Sequence, residues 1–428
     1  MYFEIKDKFL KFFEKRGHKI IPSSSLIPQN DPSVLLTTAG MQQFKEYFLG
    51  TKNSLNDFQT QRVTSCQKCF RTTDIEEVGD ERHLTFFEML GNFSFGPVTN
   101  DDPNDFNSGG YFKKSAIFWA FQFLTQELNL QIDYVTFFAG ENDIPADKES
   151  YQILKELGFS DEKIKPRGKE DNFWGPTGES GPCGPTVEFY IDDIEVWNLV
   201  FNEYFQNKEG KLAKLQNPGV DTGMGYERLL KVVEKKETIF ETSAFNSIYR
   251  ILKPLVPQEK QNNIRDQRII LDHLRAIIFL IADGVLPSNV LQGYVLRRII
   301  RRFLLKFNQL SLPVKSLKIL FKETCNFYSQ SYPEVGNFEK IYEVFEEEKG
   351  KFELTLERGL RIFEKNKDKI INENSKAKNV FLLYTSYGFP IDLSKELLYS
   401  LNITWTADDE KELQNLIEEH KKISKNIQ

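Results

Sequence analysis

The chain has 428 residues, enough for two or three domains of ordinary size, and 40% of them are hydrophobic, which supplies a real core. A formal net charge of −6 speaks against nonspecific wrapping of nucleic acid over the whole surface, although a basic face can be local. No run of about 18 apolar residues reads as a membrane span, and the N-terminus lacks the basic-then-apolar pattern of a signal peptide. Only four cysteines occur, so a reducing compartment is expected, cytoplasmic or the interior of an organelle.

Ile5, Phe9, Phe12 and Phe13 recur at helical spacing, and Gly17 follows as a stop. Residues 22–32 are rich in turn formers and end in the apolar run 34–36, which reads as a strand. Residues 61–95 mix strand and loop. The polar stretch 97–110 reads as an exposed insertion. Residues 111–128 are helical, 134–138 form a strand, and 175–185 are dense in Gly and Pro, hence a shaped loop. Strands at 187–191 and 195–201 follow, then a turn at Gly219 and a Gly-rich entry into a helix. Beyond about residue 245 helical patterns dominate, with 366–379 as a Lys/Asn-rich loop or linker. Strand-rich first and helix-rich second predicts an α+β domain over 1–245 and an α-helical one over 246–428.

Three stretches carry chemistry. Arg71 and Arg82 flank a short loop, and if its flanks pair as a hairpin both guanidiniums can enter one cleft, where their planar donors suit phosphate oxygens. Phe86 and Phe87 alternate across the following strand, so one of the two rings can face that cleft. In Asp221-Thr-Gly-Met-Gly225-Tyr-Glu-Arg228 the glycines admit a ligand to the backbone, the acid can hold an ammonium, and Arg228 sits on the next helix. Along 195–201, alternation puts Asn198 and Val200 on one face, which suits a small pocket with one polar contact and one apolar wall. Glu195 falls on the other face.

Together these stretches resemble the three signature motifs of the class II aminoacyl-tRNA synthetases, and the wording is nearest to the alanine-specific branch. The likeness runs through Pro22-Ser-Ser-Ser-Leu26, Asp31-Pro32, Thr38-Ala-Gly-Met41, Gln67-Lys-Cys-Phe-Arg71, Arg82-His83, Asp171-Asn-Phe-Trp174, Gly181-Pro-Cys-Gly-Pro185 and Trp197-Asn-Leu-Val-Phe201. It continues in the helical half through Asp272-His-Leu-Arg275, Ala282-Asp-Gly-Val-Leu-Pro-Ser-Asn289, Gly293-Tyr-Val-Leu-Arg-Arg298 and Tyr387-Gly-Phe-Pro390. It implies an antiparallel class II sheet flanked by helices, then an α-helical domain that reads a tRNA acceptor stem.

The implied activity is formation of alanyl-adenylate from L-alanine and ATP, then transfer to the 3′ end of tRNA(Ala). Arg71, Arg82 and Arg228 are the implied catalytic residues. ATP falls to Arg71, Arg82, His83, Phe86 or Phe87, Gly225 and Arg228, with Phe87 preferred for stacking on adenine. Alanine falls to Met41, Arg71, Trp174, Asn198, Val200, Asp221 and Gly223, with Asp221 on the ammonium. Magnesium is expected with the phosphates, its protein ligand left open.

Arg297, Arg298, Arg301, Arg302 and Lys306 form like-charged i, i+4 pairs that disfavour a free helix. Phosphates nearby would relieve this, as would the acids of 343–348. The resemblance favours tRNA and adds Asn289 and Thr385 as readers of the acceptor G·U pair. Thr385 stands where the family generally has an acid. The loop between Arg71 and Arg82 is short, lacking the Gly-Lys-His stretch of the common bacterial form, and the 97–110 insertion is atypical. The shortened loop and Thr385 keep open an alternative acceptor for the activated alanine, such as a carrier protein. The four histidines offer no zinc spacing of the family's editing domain, and Cys66 and Cys69 lack completing ligands nearby, so no zinc, no proofreading in cis and a monomer are expected.

Overall fold

The computed structural model describes the chain apart from residues 30, 32, 33, 177, 179, 373–375, 388, 390 and 426–428. Pro32, Gly388 and Pro390 of the matched phrases therefore lie outside the described residues. Among the described residues nine strands form the sheet: β1 Lys19–Ile20, β2 Arg62–Phe70, β3 Phe86–Ser94, β4 Tyr134–Phe138, β5 Ile164–Arg167, β6 Phe173–Trp174, β7 Gly181–Ile191, β8 Ile194–Gln206 and β9 Leu212–Gly225. Their order is β1-β2-β3-β9-β8-β7-β4-β5, with β6 alongside β7. The outer pairs β1–β2 and β4–β5 are parallel, and the pairs from β2 to β4 are antiparallel.

Helix α1 (Tyr2–Glu14) lays Tyr2, Ile5, Phe9, Phe12 and Phe13 on one face of the sheet. Phe9 and Phe13 meet Trp197 of β8 at 5.6 and 6.2 Å between ring centres. Each such side chain taken from water contributes about 1.5–3 kcal/mol. All nine residues of β2 are buried, because both faces are covered: Cys66 and Phe70 pack in the cluster with α1, and Val63 packs with Met41 and Phe44 on the other side. Lys6 of α1 reaches the buried Glu88 of β3 at 2.5 Å, and Tyr332 closes on the same carboxylate at 2.5 Å.

The helical half is built around α2 (Ile264–Ala282), whose residues 269–281 are all buried, and α3 (Leu291–Gln309). A polar seam fastens it to the sheet. Asp272 accepts from the amide and hydroxyl of Thr85 at 2.9 and 2.5 Å. His273 Nδ1 lies 2.8 Å from Asp272, and its Nε2 lies 3.2 Å from Arg302. A guanidinium can only donate, so Nε2 accepts and Nδ1 carries the proton. Arg275 pairs with Glu227 at 2.6 Å and donates to the Phe86 carbonyl at 2.7 Å. Lys68 of β2 meets Asp283 at 2.7 Å.

Several local expectations change. Residues 34–36 form a bend, not a strand, and Leu36 drops into the core. Gly219 lies inside β9, not at a turn. A Cβ there would fall 2.7 Å from the Ser94 carbonyl. The 97–110 stretch is exposed in part but tied down: Trp119 donates to Pro103 at 2.9 Å, Arg62 to Asp105 at 2.9 Å, and Asp101 accepts from the amides of Phe112 and Ser115. Much of the expected loop at 366–379 is helix, because α4 (Phe338–Asn372) runs on and α5 (Lys376–Tyr387) starts just beyond.

Candidate active site and nucleic-acid interface

The middle of the sheet forms the floor of a cavity of about 300 Å³. Register sets its polar row: Glu188 of β7 opposes Asn198 of β8, which opposes Gly223 of β9, and Val200 opposes Asp221. A Cβ at Gly223 would lie 2.9 Å from the Met89 sulfur, so any side chain there would displace Met89. Arg71, Arg82, His83, Phe87, Trp174, Asn198, Gly223, Gly225 and Arg228 all line the cavity. The Arg71 guanidinium sits 4.9 Å above the Phe87 ring. Asp80 accepts from the backbone amides of Arg82 and His83 at 2.9 and 2.8 Å, fixing the loop that carries them.

Asp221 lies on the same strand face as Gly223, two residues before it, and is buried. Burial alone pushes its carboxyl up to about 7, with no cation beside it among the described residues. Glu188 is also pushed up to about 7, first by burial and then by the charge of Glu195. Asn198 donates from Nδ2 to Glu188 Oε1 at 2.9 Å, while its Oδ1 is buried without a partner among the described residues.

Five expectations need correction. Phe86 does not face the cavity: it is fully buried and stacks on Phe279 at 4.1 Å between ring centres, leaving Phe87 as the available ring. Met41 does not line the cavity either. It belongs to the apolar cluster behind Met89 and Trp174, and Met89 provides the wall. Val200 does not line the cavity, and neither does Asp221 opposite it on β9: both are buried farther along the face that Asn198 and Gly223 share. Glu195 shares the cavity with Asn198, contrary to simple alternation. A register shift makes Val196 an extra residue between Phe189↔Trp197 and Tyr190↔Glu195, and a bulge of this kind turns the side chain to the other face. Glu195 then pairs with Arg228 at 3.1 Å.

The fifth correction is Arg302. It is 2% exposed, donates to Glu396 at 2.7 Å and to the Ile75 carbonyl, and cannot reach RNA as it stands. Lys306 is buried with it, 2.7 Å from Glu396. Arg297 and Arg301 each lie 3.1 Å from Glu348, and Arg298 pairs with Glu76. The like charges along α3 are thus relieved by protein acids, including one within 343–348. Asn289, Arg297, Arg298 and Arg301 nonetheless line a groove of about 1060 Å³, with Tyr294, Tyr384, Lys395 and Trp405. Thr385 is exposed, its hydroxyl donates to the Phe381 carbonyl at 2.9 Å, and its neighbour Tyr384 is the groove residue.

The sequence reading missed Met89, Asp171, Glu188 and Glu227 in the cavity wall. Met89 is two residues from Phe87 on one strand, so alternation could have found it. Glu188 becomes visible only once β7 and β8 are in register.

Comparison with known proteins decides the family. The model described as tRNA synthetases class II (A) matches residues 4–428. The chain belongs to this family. It is 40% identical over 420 residues to an alanine–tRNA ligase of Dehalococcoides mccartyi, covering 92% of this chain and 46% of that protein. Alanine–tRNA ligases of Rubrobacter xylanophilus and Thermotoga petrophila are 38% and 39% identical, covering 94% and 99% of this chain and 47% and 49% of theirs. The chain thus spans about half the length of the curated relatives it matches. A pyrrolysyl-tRNA synthetase from Desulfitobacterium hafniense aligns at 13% identity with a TM-score of 0.34, over 56% of this chain and 72% of that one. No helix among the described residues is long and apolar enough to cross a membrane.

Proposed function

We propose that this class II synthetase activates L-alanine with ATP and passes the alanyl group to tRNA(Ala). The observation that carries the reading is Asp221, a buried carboxylate with no cation beside it among the described residues, two residues along β9 from Gly223 in the floor of a small cavity lined by Arg71, Arg82 and Arg228. A buried unpaired carboxylate is costly, and an α-ammonium would relieve it. Met89, Trp174 and Gly223 leave room for a methyl side chain.

In the reading favoured here, Phe87 carries the adenine ring and Arg228 covers its other side, released in part from Glu195. Arg71 lies over the α-phosphate and the alanine carboxylate. One carboxylate oxygen attacks the α-phosphorus, the bond to the bridging oxygen breaks, and pyrophosphate leaves with its electron pair. Arg71 stabilises the charge gathering on the phosphoryl oxygens, and Arg82 and His83 hold the outer phosphates. The terminal ribose hydroxyl of the tRNA then attacks the carbonyl and expels AMP. Of the wall acids, Glu195 would supply an oxygen donor to a phosphate-bound magnesium, and the ion would neutralise phosphate charge. Arg297, Arg298, Arg301 and Asn289 line the groove for the acceptor stem, where the minor-groove edge of a G·U pair is accessible.

The test is ATP–pyrophosphate exchange, followed by charging of paired transcripts carrying acceptor G·U or G·C. Exchange that requires alanine, and charging of the G·U transcript, are the expected results. No alanine-dependent exchange would overturn the reading of the cleft. Exchange without charging of either transcript would point to another acceptor.

A further inference from the structure

Asn198 is held on one side only. Its Nδ2 donates to Glu188 Oε1 at 2.9 Å, and its Oδ1, turned from Glu188, is buried with no hydrogen-bond partner among the described residues. An amide acceptor left in that state is unfavourable unless a donor arrives. Glu188 cannot turn to suit Asn198. Its other oxygen, Oε2, accepts from the Tyr190 hydroxyl at 2.8 Å and from Thr136 at 3.3 Å. On the neighbouring strand, Asn198 faces Gly223, which has no side chain, and Asp221 lies two residues along the same face.

The geometry points to Glu188 as a positioning residue for substrate selection: by fixing the Asn198 amide, it presents Oδ1, beside Asp221, to the ammonium of the amino-acid substrate. This inference rests on the reading of the cleft as an alanine site. An ammonium offers three donors and no acceptor, so it is welcomed by Oδ1 and repelled by the NH₂ end of the same amide. Glu188 touches no substrate in this scheme and acts through Asn198.

Glu188→Gln separates this role from a structural one. Tyr190 and Thr136 both donate, so they draw the oxygen of the new amide toward themselves and leave its NH₂ facing Asn198. Asn198 must then turn its Oδ1 toward that NH₂ and its own NH₂ toward the substrate. L-lactate is the control ligand, because its hydroxyl can donate or accept and is indifferent to the amide's direction.

In alanine-dependent ATP–pyrophosphate exchange by the full chain, Glu188→Gln is expected to raise KM for alanine about tenfold or more. KM for ATP and inhibition by lactate should stay within about twofold. Adding Asn198→Asp restores acceptor oxygens on both sides, so the double variant should recover most of the alanine KM. An unchanged alanine KM, equal weakening of alanine and lactate, or no recovery in the double variant would each overturn the inference while leaving the wild-type activity standing. Absence of alanine-dependent exchange in the wild type would remove the function and this inference together.

Discussion

The cleft and the basic helix treat charge in opposite ways. At the cleft, among the described residues, the buried Asp221 has no counter-ion and Asn198 Oδ1 has no donor, while on α3 Arg297, Arg298, Arg301, Arg302 and Lys306 all have carboxylate partners within the protein. Five cations in ten residues look like a ligand site, yet two of them, Arg302 and Lys306, serve mainly to hold helices together. A single acid in a Gly-rich strand looks weaker, yet it is the group that folding leaves unsatisfied. Unmet polar demand marks a site better than density of charge.

The largest effect should come from the structural side of that contrast. Arg302→Ala leaves Glu396 only Lys306 as a close partner and removes a contact to Ile75, so the cost should lie near the lower end, about 3 kcal/mol, of that for breaking a buried pair. Thermal unfolding should fall accordingly. Glu396 sharpens the point: burial acts upward, yet Arg302 and Lys306 hold it down to about 2. An acid with a lowered folded pKa favours the fold above its ordinary pKa. The contribution should therefore disappear as pH falls from 4.5 toward 2.

Next is Asp221→Asn. It should weaken alanine about a hundredfold in exchange kinetics, because one partner of a buried charge pair is gone, with ATP much less affected. The free protein should become more stable by about 1–3 kcal/mol at pH 8, since the variant has no buried charge to hold. The sign is opposite to that of Glu396. A raised folded pKa favours the fold below 3.8, and the benefit is lost as pH rises to about 7. Equal loss of alanine and ATP affinity, or a fall in stability, would undo the assignment.

Phe87→Ala should raise KM for ATP about tenfold, whereas Phe86→Ala should lower stability by about 3–5 kcal/mol and spare the ATP affinity of the folded fraction. Reversal of that pair would put the wrong ring in the cleft. The smallest effect belongs to Arg301→Ala. It should weaken RNA binding modestly and lower the salt slope by about 1, as one phosphate contact would. An unchanged slope would mean that Glu348 keeps Arg301 occupied even with RNA present.

These contrasts also show what was legible in the sequence. The order of strands before helices, the Gly-rich entry to Arg228 and the Phe86/Phe87 alternation were readable, because local period and backbone freedom carry them. Which ring faces the cleft was not, since Phe279, almost two hundred residues away, decides it. The place of Glu195 depended on one extra residue in a ladder, and that of Arg302 on Glu396, far along the chain. The Lys/Asn-rich composition of 366–379 suggested a loop, yet 366–372 and 376–379 are helical, because lysine is a good helix former and asparagine only a mildly poor one. Register and tertiary partners are long-range facts, and a local pattern does not contain them.

The most direct test of the central claim, that Asp221 awaits an ammonium, is calorimetric titration of L-alanine in buffers of different ionisation enthalpy. With Asp221 at about 7, alanine binding at pH 6.5 should expel a proton, and that release should fade by pH 8.5. Binding with no proton released at pH 6.5, or no binding of alanine at all, would contradict the account.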